Sequence, residues 1–322
     1  TLLETITFGF YKAPVEVTIE ATDDIAGVDY FVYSYAVQSG ASDTNVGKIN
    51  QRVAATRDGD TNRWYATFMI DPQFRGNVSF TAYDKATNHA FLADDKFVIV
   101  DNVAPGINVV YDNMNDYDDE FYKADRTATI TITEANFFEQ DIADGLLVIT
   151  VEKTLNNGTY TSENMAPTFS KNGDVYTATI PFTEEADYTF DIKYTDRSGN
   201  VYDAYEKDVF TIDKTAPVIE VSYNNNSAKN NDQFKANRVA TIKVTEHNFR
   251  ADYVVAKVMA SGTEVASYAE YLKNDANWTH NGDVHTAVIE YSEEAHYTFE
   301  IACTDKAGNI SGSVNYGESV AP

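Results

Sequence analysis

The stretch YKADRTATITITE, residues 122–134, decides the fold, because its side chains alternate between apolar and polar. Ala128, Ile130 and Ile132 are separated by threonines, and this period of two predicts a β-strand with one buried face. The other two copies of the stretch are YKAPVEVTIEATD at 11–23 and FKANRVATIKVTE at 234–246. The chain is therefore a tandem repeat with a period of about 110 residues.

Two more blocks recur in the same order behind each copy of this strand. The first block is found as RWYATFM (63–69), DVYTATI (174–180) and DVHTAVI (283–289). The second is found as NVSFTAYDKATN (77–88), ADYTFDIKYTDRSGN (186–200) and AHYTFEIACTDKAGN (295–309). Both blocks alternate as the first strand does, so they predict two further strands in every repeat.

Boundary motifs that end in Ala-Pro separate the repeats. They are VDNVAP (100–105), IDKTAP (212–217) and ESVAP (318–322). The sequence thus predicts three domains, 1–101, 102–213 and 214–322, which we call units one, two and three. The linkers are short and carry Pro105 and Pro217, which fix the backbone, so we expect little freedom between the units.

The composition fits packed units and excludes several partners. Hydrophobic residues make up 43% of the 322 residues, which is enough for packed cores. The formal net charge of −26 repels nucleic-acid phosphates and anionic membranes, so neither is an expected partner. No apolar run approaches the roughly 18 residues of a membrane span. The single cysteine, Cys303, lies in an alternating strand, which predicts a buried small side chain rather than a reactive thiol.

Each unit combines strand-forming residues with regular turn signals such as NNG, KNGD and SGN. Seven or so short strands in about 110 residues are typical of an antiparallel β-sandwich. We therefore predict an all-β chain of three tandem sandwiches that forms an elongated, monomeric rod.

The repeated patterns resemble those of a known family. D-K-T-A-P-x-I, A-T-I-x-V-T-E-x-N-F and Y-T-F-x-I-x-x-T-D-x-x-G-N look like bacterial immunoglobulin-like domains, found in tandem in large surface proteins of Gram-positive bacteria. The resemblance covers units two and three almost throughout, whereas unit one departs between its second and fifth strands. It implies an immunoglobulin-like sandwich used as a spacer, stalk or adhesive module. Tyr188 and Tyr297 resemble the tyrosine corner of such domains, and unit one has Asn77 there.

From this resemblance we expect a non-catalytic repeat segment of a cell-surface adhesin, outside the bacterial cell and part of a larger exported protein. It would bind a host glycoprotein, an immunoglobulin or a glycan, and would contact other domains of its parent protein. The alternative is a purely structural stalk without a ligand of its own. If a ligand site exists, the divergent segment 36–55 of unit one is the first place to look.

Catalytic and covalent chemistry is not expected. The chain has no G-x-S-x-G, H-E-x-x-H or P-loop motif, so we predict that it is not an enzyme. Four histidines of unit three show no recurring ligand spacing, which argues against zinc. They are His247, His280, His285 and His296. Lysines recur at Lys12, Lys123 and Lys235, but no fixed asparagine marks an internal isopeptide bond.

Carboxylates recur where one pole of each sandwich meets the preceding linker. Glu134 ends the repeated strand, Asp196 opens a hairpin turn, and Asp101 lies in the linker. The corresponding residues of unit three are Glu246, Asp305 and Asp213. Three such groups at a junction would hold a hard cation, a structural Ca²⁺, and stiffen the array. The spacing is not that of an EF-hand, and we expect no other cofactor.

A second interpretation of these acids, which the sequence alone favours, involves no ion. Asp and Asn residues cap hairpin turns through their own side chains, and the remaining charges would be solvated. The acidic run YDNMNDYDDEF (111–121) is interpreted in the same way, as a solvated loop, because its counterpart YNNNSAKNNDQF (223–234) is mostly uncharged.

Overall fold

The computed structural model describes residues 2–3, 9–38, 44–93, 97–226, 229–230, 233–312 and 314–320, with backbone only for 2–3, 229–230 and 314–320. The strands of unit one are β1 (Leu2–Leu3), β2 (Gly9–Tyr11), β3 (Val15–Thr22), β4 (Val28–Val37), β5 (Gly47–Ala54), β6 (Thr56–Arg57), β7 (Arg63–Ile70), β8 (Phe74–Asp84), β9 (His89–Ala93) and β10 (Val98–Val100). Part of the divergent segment 36–55 lies outside the described residues.

Unit two follows the same plan with one short helix. Its elements are β11 (Gly106–Tyr111), β12 (Phe121–Tyr122), β13 (Arg126–Thr133), α1 (Gln140–Ala143), β14 (Leu147–Leu155), β15 (Tyr160–Met165), β16 (Ser170–Asn172), β17 (Val175–Phe182), β18 (Ala186–Thr195), β19 (Val201–Tyr202) and β20 (Asp208–Ile212).

Unit three keeps the strands and adds helical turns. Its elements are β21 (Val218–Tyr223), β22 (Lys229–Asn230), β23 (Gln233–Phe234), β24 (Arg238–Thr245), a 3-10 turn (Ala251–Tyr253), β25 (Val254–Ala260), β26 (Thr263–Glu264), α2 (Ala266–Lys273), a 3-10 turn (Asp275–Asn277), β27 (Trp278–Asn281), β28 (Val284–Tyr291), β29 (Ala295–Cys303) and β30 (Val314–Val320). The described helices are too short to cross a membrane. Residues 321–322 of the last boundary motif lie outside the described residues.

Two main sheets face each other in each unit, as predicted, and in unit three β22 and β23 form an additional two-stranded sheet. In unit two one sheet has the order β11-β13-β17-β16 and the other β12-β20-β18-β14-β15. Unit one repeats this order with β1-β3-β7-β6 and β2-β10-β8-β4-β5, and unit three has β21-β24-β28-β27 and β26-β25-β29-β30. In the described residues every strand pair lies within one unit. The chain is thus a series of β-sandwiches.

The alternation seen in the sequence produces three separate cores. In β13 the apolar positions Ala128, Ile130 and Ile132 are fully buried, while the threonines between them are not. The predicted inward positions of β29, including Cys303, are buried in the same way. Burying one such aliphatic side chain stabilises the fold by about 1.5–3 kcal/mol, so the repeated strands supply much of the stability of each unit.

Two features of the sheets depart from the purely antiparallel prediction. The short strand β2 pairs parallel with β10, and β12 pairs parallel with β20. Both pairs join the start of a unit to its last strand. In unit three, α2 occupies the chain between β26 and β27, where unit two has only a loop after β15, and Leu272 of this helix is buried in the core.

A buried arginine at the start of the repeated strand closes the pole opposite the predicted cluster. The guanidinium of Arg126 lies 3.9 Å from the ring centre of Tyr111 and 3.8 Å from that of Tyr122. Its Nε donates to the carbonyl oxygen of Asn113 at 3.0 Å. Arg238 is buried similarly in unit three, over Phe234. Cation–π contacts compensate for the desolvation of these charges.

The tyrosine-corner contacts predicted for Tyr188 and Tyr297 are present. The Tyr188 hydroxyl donates to the carbonyl oxygen of Glu184 at 3.1 Å, and the Tyr297 hydroxyl donates to that of Glu293 at 3.3 Å. Each bond ties the start of a core strand to the corner before it.

We expect Tyr188→Phe to lower the free energy of unfolding of unit two by about 1 kcal/mol, because one partly buried hydrogen bond is lost without a cavity. Urea unfolding would measure the change. Tyr160→Phe is the matched control, since Tyr160 is 58% exposed and its loss of a hydroxyl should have no effect. Equal stability of both variants and the wild type would contradict a stabilising role for this bond.

Candidate metal centres

The junction between units one and two is organised by Asp101, the residue after β10. Its backbone N–H donates to the carbonyl oxygen of Tyr11 at 2.8 Å, which ties it to unit one. Its carboxylate reaches unit two, where Oδ2 accepts a 2.7 Å hydrogen bond from Nδ2 of Asn136. Asp213 makes the same pair of contacts at the next junction, with Asn248 as the donor at 2.7 Å. Each linker acid is therefore shared between two consecutive units.

The structure brings together three of the predicted carboxylates at each junction. In each set, one oxygen from every residue lies within 4.8 Å of the others, and all six residues are at most 5% exposed. The sets are Asp101, Glu134 and Asp196 before unit two, and Asp213, Glu246 and Asp305 before unit three. The expectation of solvated charge is therefore wrong for these groups. Binding of an ion stays a prediction.

A hairpin turn fixes the third acid of each set. In unit two, the N–H of Asp196 donates to the carbonyl oxygen of Asn200, and both carboxylate oxygens of Asp196 accept hydrogen bonds of 2.8 Å from Asn200. Gly199 completes the turn with a φ of +84°, a conformation that glycine adopts without strain. Asp305 and Asn309 form the same turn in unit three. The predicted turn capping is thus present, inside the cluster.

The same turn also holds the linker, which sequence reasoning missed. Nδ2 of Asn200 donates a second hydrogen bond, of 2.9 Å, to the backbone carbonyl of Asp101. Asn309 donates correspondingly to the carbonyl of Asp213 at 2.8 Å. The signal was available, because an asparagine ends the turn motif in all three repeats. A residue that both caps a turn and binds the neighbouring unit cannot be recognised from one repeat alone.

Burial of like charges governs the electrostatics of both clusters. Burial raises the pKa of Glu134 to about 8, helped by the two neighbouring aspartates and opposed by the hydrogen bond from the N–H of Asn136. The pKa of Glu246 is raised to about 8 for the same reasons. Burial also raises the pKa of Asp196 and of Asp305. Without a cation, each cluster therefore retains a proton at neutral pH.

The donor atoms of the clusters match a hard cation. Ca²⁺ prefers six to eight oxygen ligands, and carboxylates are its usual partners in proteins. Beside the first cluster, Oδ1 of Asn136 is buried without a hydrogen-bond partner, although Nδ2 of the same amide contacts Asp101. A buried oxygen without a partner is rare, and an amide oxygen is a hard donor of the kind that Ca²⁺ accepts. The residues present thus fit a calcium ion.

Aromatic and cationic side chains surround the first junction. The ring of Phe10 from unit one meets Phe138 of unit two edge to face at 5.7 Å. Arg197, which follows Asp196, lies over both rings and is held by Asp141 at 2.7 Å. Nζ of Lys12 donates to the carbonyl oxygen of Gly199 at 3.3 Å, across the same junction. These contacts limit the access of water to the cluster.

The second junction is surrounded by residues of the acidic run 111–121. Asp118 forms an ion pair of 2.6 Å with Arg250 of unit three, and Tyr117 packs edge to face on Tyr253 at 5.8 Å. Lys306 lies 5.0 Å from the ring centre of Phe121. The interpretation of this run as a solvated loop is therefore wrong for these residues, because the loop reaches the next unit.

The other candidate groups form no comparable cluster in the described residues. Lys12, Lys123 and Lys235 are exposed, whereas an internal isopeptide bond needs a buried lysine. Nδ1 of His280 lies 2.7 Å from Nδ1 of His285, but no described group completes a three-ligand set with them. Burial raises the pKa of Cys303 to about 12, as expected for a core thiol.

Alanine at Gly308 should disturb the second junction more than alanine at Gly199 disturbs the first. Both glycines have a φ near +84°, so both variants suffer the same backbone strain of about 1 kcal/mol. Only at Gly308 would the new Cβ meet a side chain, the Tyr117 ring at 2.8 Å, while nothing lies within 4 Å at Gly199. Urea unfolding should show the larger loss for Gly308→Ala, and adding Tyr117→Ala should remove the excess. Equal losses would contradict the contact.

We expect the ion-free protein to lose stability as the pH rises from about 5 to 8. A glutamic acid with a pKa near 4.3 in the unfolded chain and about 8 in the folded chain keeps its proton only when folded, so folding is favoured most at low pH. The slope is on the order of 1 kcal/mol per pH unit per cluster. Urea unfolding in EDTA would measure it, and Glu134→Gln with Glu246→Gln should flatten it. The exposed Glu163→Gln is the control.

Three solved structures to which the chain is similar share 7–15% sequence identity with it. No protein-family model and no curated protein matches the chain. A crystal structure of a tetra-tandem repeat in the extending region of a large adhesion protein matches 94% of this chain and 70% of its own, with a TM-score of 0.37 and 15% identity. Dimeric latent PorU from Porphyromonas gingivalis matches 98% of this chain and 32% of its own, with a TM-score of 0.27 and 13% identity. Trypsin-activated alpha-2-macroglobulin from Escherichia coli matches 97% of this chain and 23% of its own, with a TM-score of 0.21 and 7% identity. All three TM-scores are below 0.5, so function is inferred from the junctions.

Proposed function

We propose that the chain is an extracellular, non-catalytic repeat segment of a large surface adhesion protein, in which calcium at the two junctions holds consecutive immunoglobulin-like sandwiches in fixed orientation. The observation that carries the proposal is the position of Asp101 and Asp213. Each is tied by its backbone to the unit before it, and its carboxylate is buried among two acids of the unit after it.

A cation in this position would be bound by both units at once and would hold them together, an arrangement that we call the calcium bracket. It would be held by the linker acid, by the acid at the end of the repeated strand and by the acid of the hairpin turn. Bending at the linker would separate these ligands from the ion. Because this costs binding free energy, the bound ion would resist bending. Three carboxylates carry more negative charge than one Ca²⁺ neutralises, which favours a divalent ion over a monovalent one.

A spacer role follows from stiff junctions. A stalk must keep its far end away from the cell, and it does so only if the angles between its units are fixed. The absence of a disulfide from the sequence is compatible with this design, because metal ligation replaces covalent bonds as the constraint. The elongated rod expected from the sequence belongs to the same proposal.

Recognition of a host glycoprotein, immunoglobulin or glycan by these units stays a prediction. A saturable signal on host-protein and glycan arrays, lost when one unit is deleted, would support an adhesive role. A spacer would give no signal in the same assay.

Calcium should raise the thermal midpoint of unfolding and bind with a stoichiometry of two ions per chain. At a free concentration of about 100 times Kd, the stabilisation is about 2.7 kcal/mol per site. Calorimetric titration would give the stoichiometry, and small-angle scattering in calcium and in EDTA would report stiffness. Binding should also release protons at pH 7, because Glu134 and Glu246 give up theirs.

Single-site variants provide the controls for this titration. Glu134→Gln and Glu246→Gln should each reduce the stoichiometry from two to one, whereas the exposed Glu163→Gln should leave it at two. The calcium bracket would be overturned if the thermal midpoint were the same in Ca²⁺ and in EDTA and if titration with Ca²⁺ gave no binding heat. The junctions would then be neutralised by protons.

A further inference from the structure

We propose that the corresponding pole of unit one is a docking surface for the linker end of another sandwich, one that carries an acidic residue before an Ala-Pro linker. In units two and three this pole binds the linker of the preceding unit. Unit one has kept the turn aspartate and asparagine, Asp84 and Asn88, although among the described residues they bind no linker.

The turn of unit one is built as in the other two. Asp84 donates its N–H to the carbonyl oxygen of Asn88, and its carboxylate accepts hydrogen bonds of 2.8 and 2.7 Å from the N–H and Nδ2 of Asn88. This is the geometry of Asp196 with Asn200. The turn is therefore preformed for its partner and needs no rearrangement on binding.

The side-chain amide of Asn88 has one N–H that can still donate a hydrogen bond. In the other units the second Nδ2 hydrogen goes to the backbone carbonyl of the linker acid, Asp101 or Asp213. In the described residues, Nδ2 of Asn88 donates to Asp84 only, and Asn88 is exposed whereas Asn200 is buried. By comparison with units two and three, the acceptor for this second N–H of Asn88 would be the backbone carbonyl of a preceding linker.

A cavity of about 200 Å³ opens beside this turn. Its walls include the polar Asp23, Asp84 and Asn88 and the apolar Ala21, Val28 and Ala82. In units two and three a phenylalanine after the repeated strand, Phe137 or Phe249, fills the pole. Unit one has alanine at that alignment position, so its pole has an apolar floor and room for an incoming side chain.

Two more side chains of unit one fit a contact surface. Ile25 is 99% exposed, and it aligns with Asn136 and Asn248, which contact the linker acids. At this position unit one therefore presents an apolar side chain where units two and three present an amide. Lys85 aligns with Lys306, which lies over an aromatic ring of the preceding unit; Lys85 instead lies 5.3 Å from its own Trp64.

The register of the first strand permits the same linker length. Leu2 pairs with Ala21 as Ile107 pairs with Ile132 and Ile219 with Val244. A linker such as Asp-Lys-Thr-Ala-Pro joined directly before Thr1 would therefore bring its acid to Asp23 and Asp84. These three carboxylates would form a third cation site, a detail that rests on the proposed function, whereas docking itself does not.

The test is a four-unit chain in which a copy of residues 102–217 is joined to Thr1 of the full sequence. Docking should slow amide hydrogen exchange at Ala26, Gly27 and Asn88 by about tenfold or more, compared with the three-unit chain. Calorimetry should show three calcium ions per chain instead of two.

Matched variants separate docking from metal binding. Asn88→Ala should abolish the added protection. Asp→Ala at the linker acid of the added copy keeps the backbone carbonyl, so it should remove the third calcium ion and leave the protection in place. Asn309→Ala lies at the other junction and should leave the protection of unit one intact. Protection without any calcium binding would support docking and overturn the calcium bracket. Two calcium ions and no protection would overturn docking and leave the bracket standing. Concentration-dependent assembly of the three-unit chain, seen by sedimentation and abolished by Asn88→Ala, would also support docking, because ESVAP (318–322) of a second copy carries an acid before Ala-Pro.

Discussion

Three carboxylates that lie within 4.8 Å of one another and have almost no contact with water cannot all remain charged without a counterion. This constraint organises each junction. One acid belongs to the linker and the other two belong to the following unit. Both units therefore contribute ligands to the group that neutralises the cluster, whether it is a proton or a cation. The asparagines around the cluster and the aromatic side chains outside it follow from the same need to satisfy and shield buried charge.

A small hairpin turn performs two tasks in this arrangement. Its aspartate and asparagine first satisfy each other, and the asparagine amide then has one hydrogen left for the linker. Turn and junction are therefore made by the same residues, and a repeat that folds correctly already presents its docking groups. Unit one shows that the turn tolerates variation, since Thr87 takes the left-handed position that glycine holds in the other units.

Much of the fold followed from the sequence, because alternation has a direct physical meaning. The period of two in residues 126–133 indicates a strand with one buried face, and the two other copies of this stretch predict the same strand in units one and three. The carboxylates of the site were also identified from the repeats. The depth of their burial was not, because it depends on side chains of the neighbouring unit, such as Phe10 and Tyr117. Arg126 and Arg238 escaped notice for a similar reason. An arginine at a strand end is expected in solvent, and only the surrounding aromatic rings make its burial favourable.

The parallel pairing of the short strands near the start and end of units one and two has a mechanical consequence. When a chain is pulled at both ends, the force also acts between an early strand and the last strand of a unit, and these strands pair as β2 with β10 and as β12 with β20. Because the paired strands run in the same direction, the force acts along them and strains their hydrogen bonds together in shear, rather than opening them one after another as in a zipper. Tension applied along the array would therefore be resisted by these few backbone bonds acting together, in addition to the hydrophobic cores.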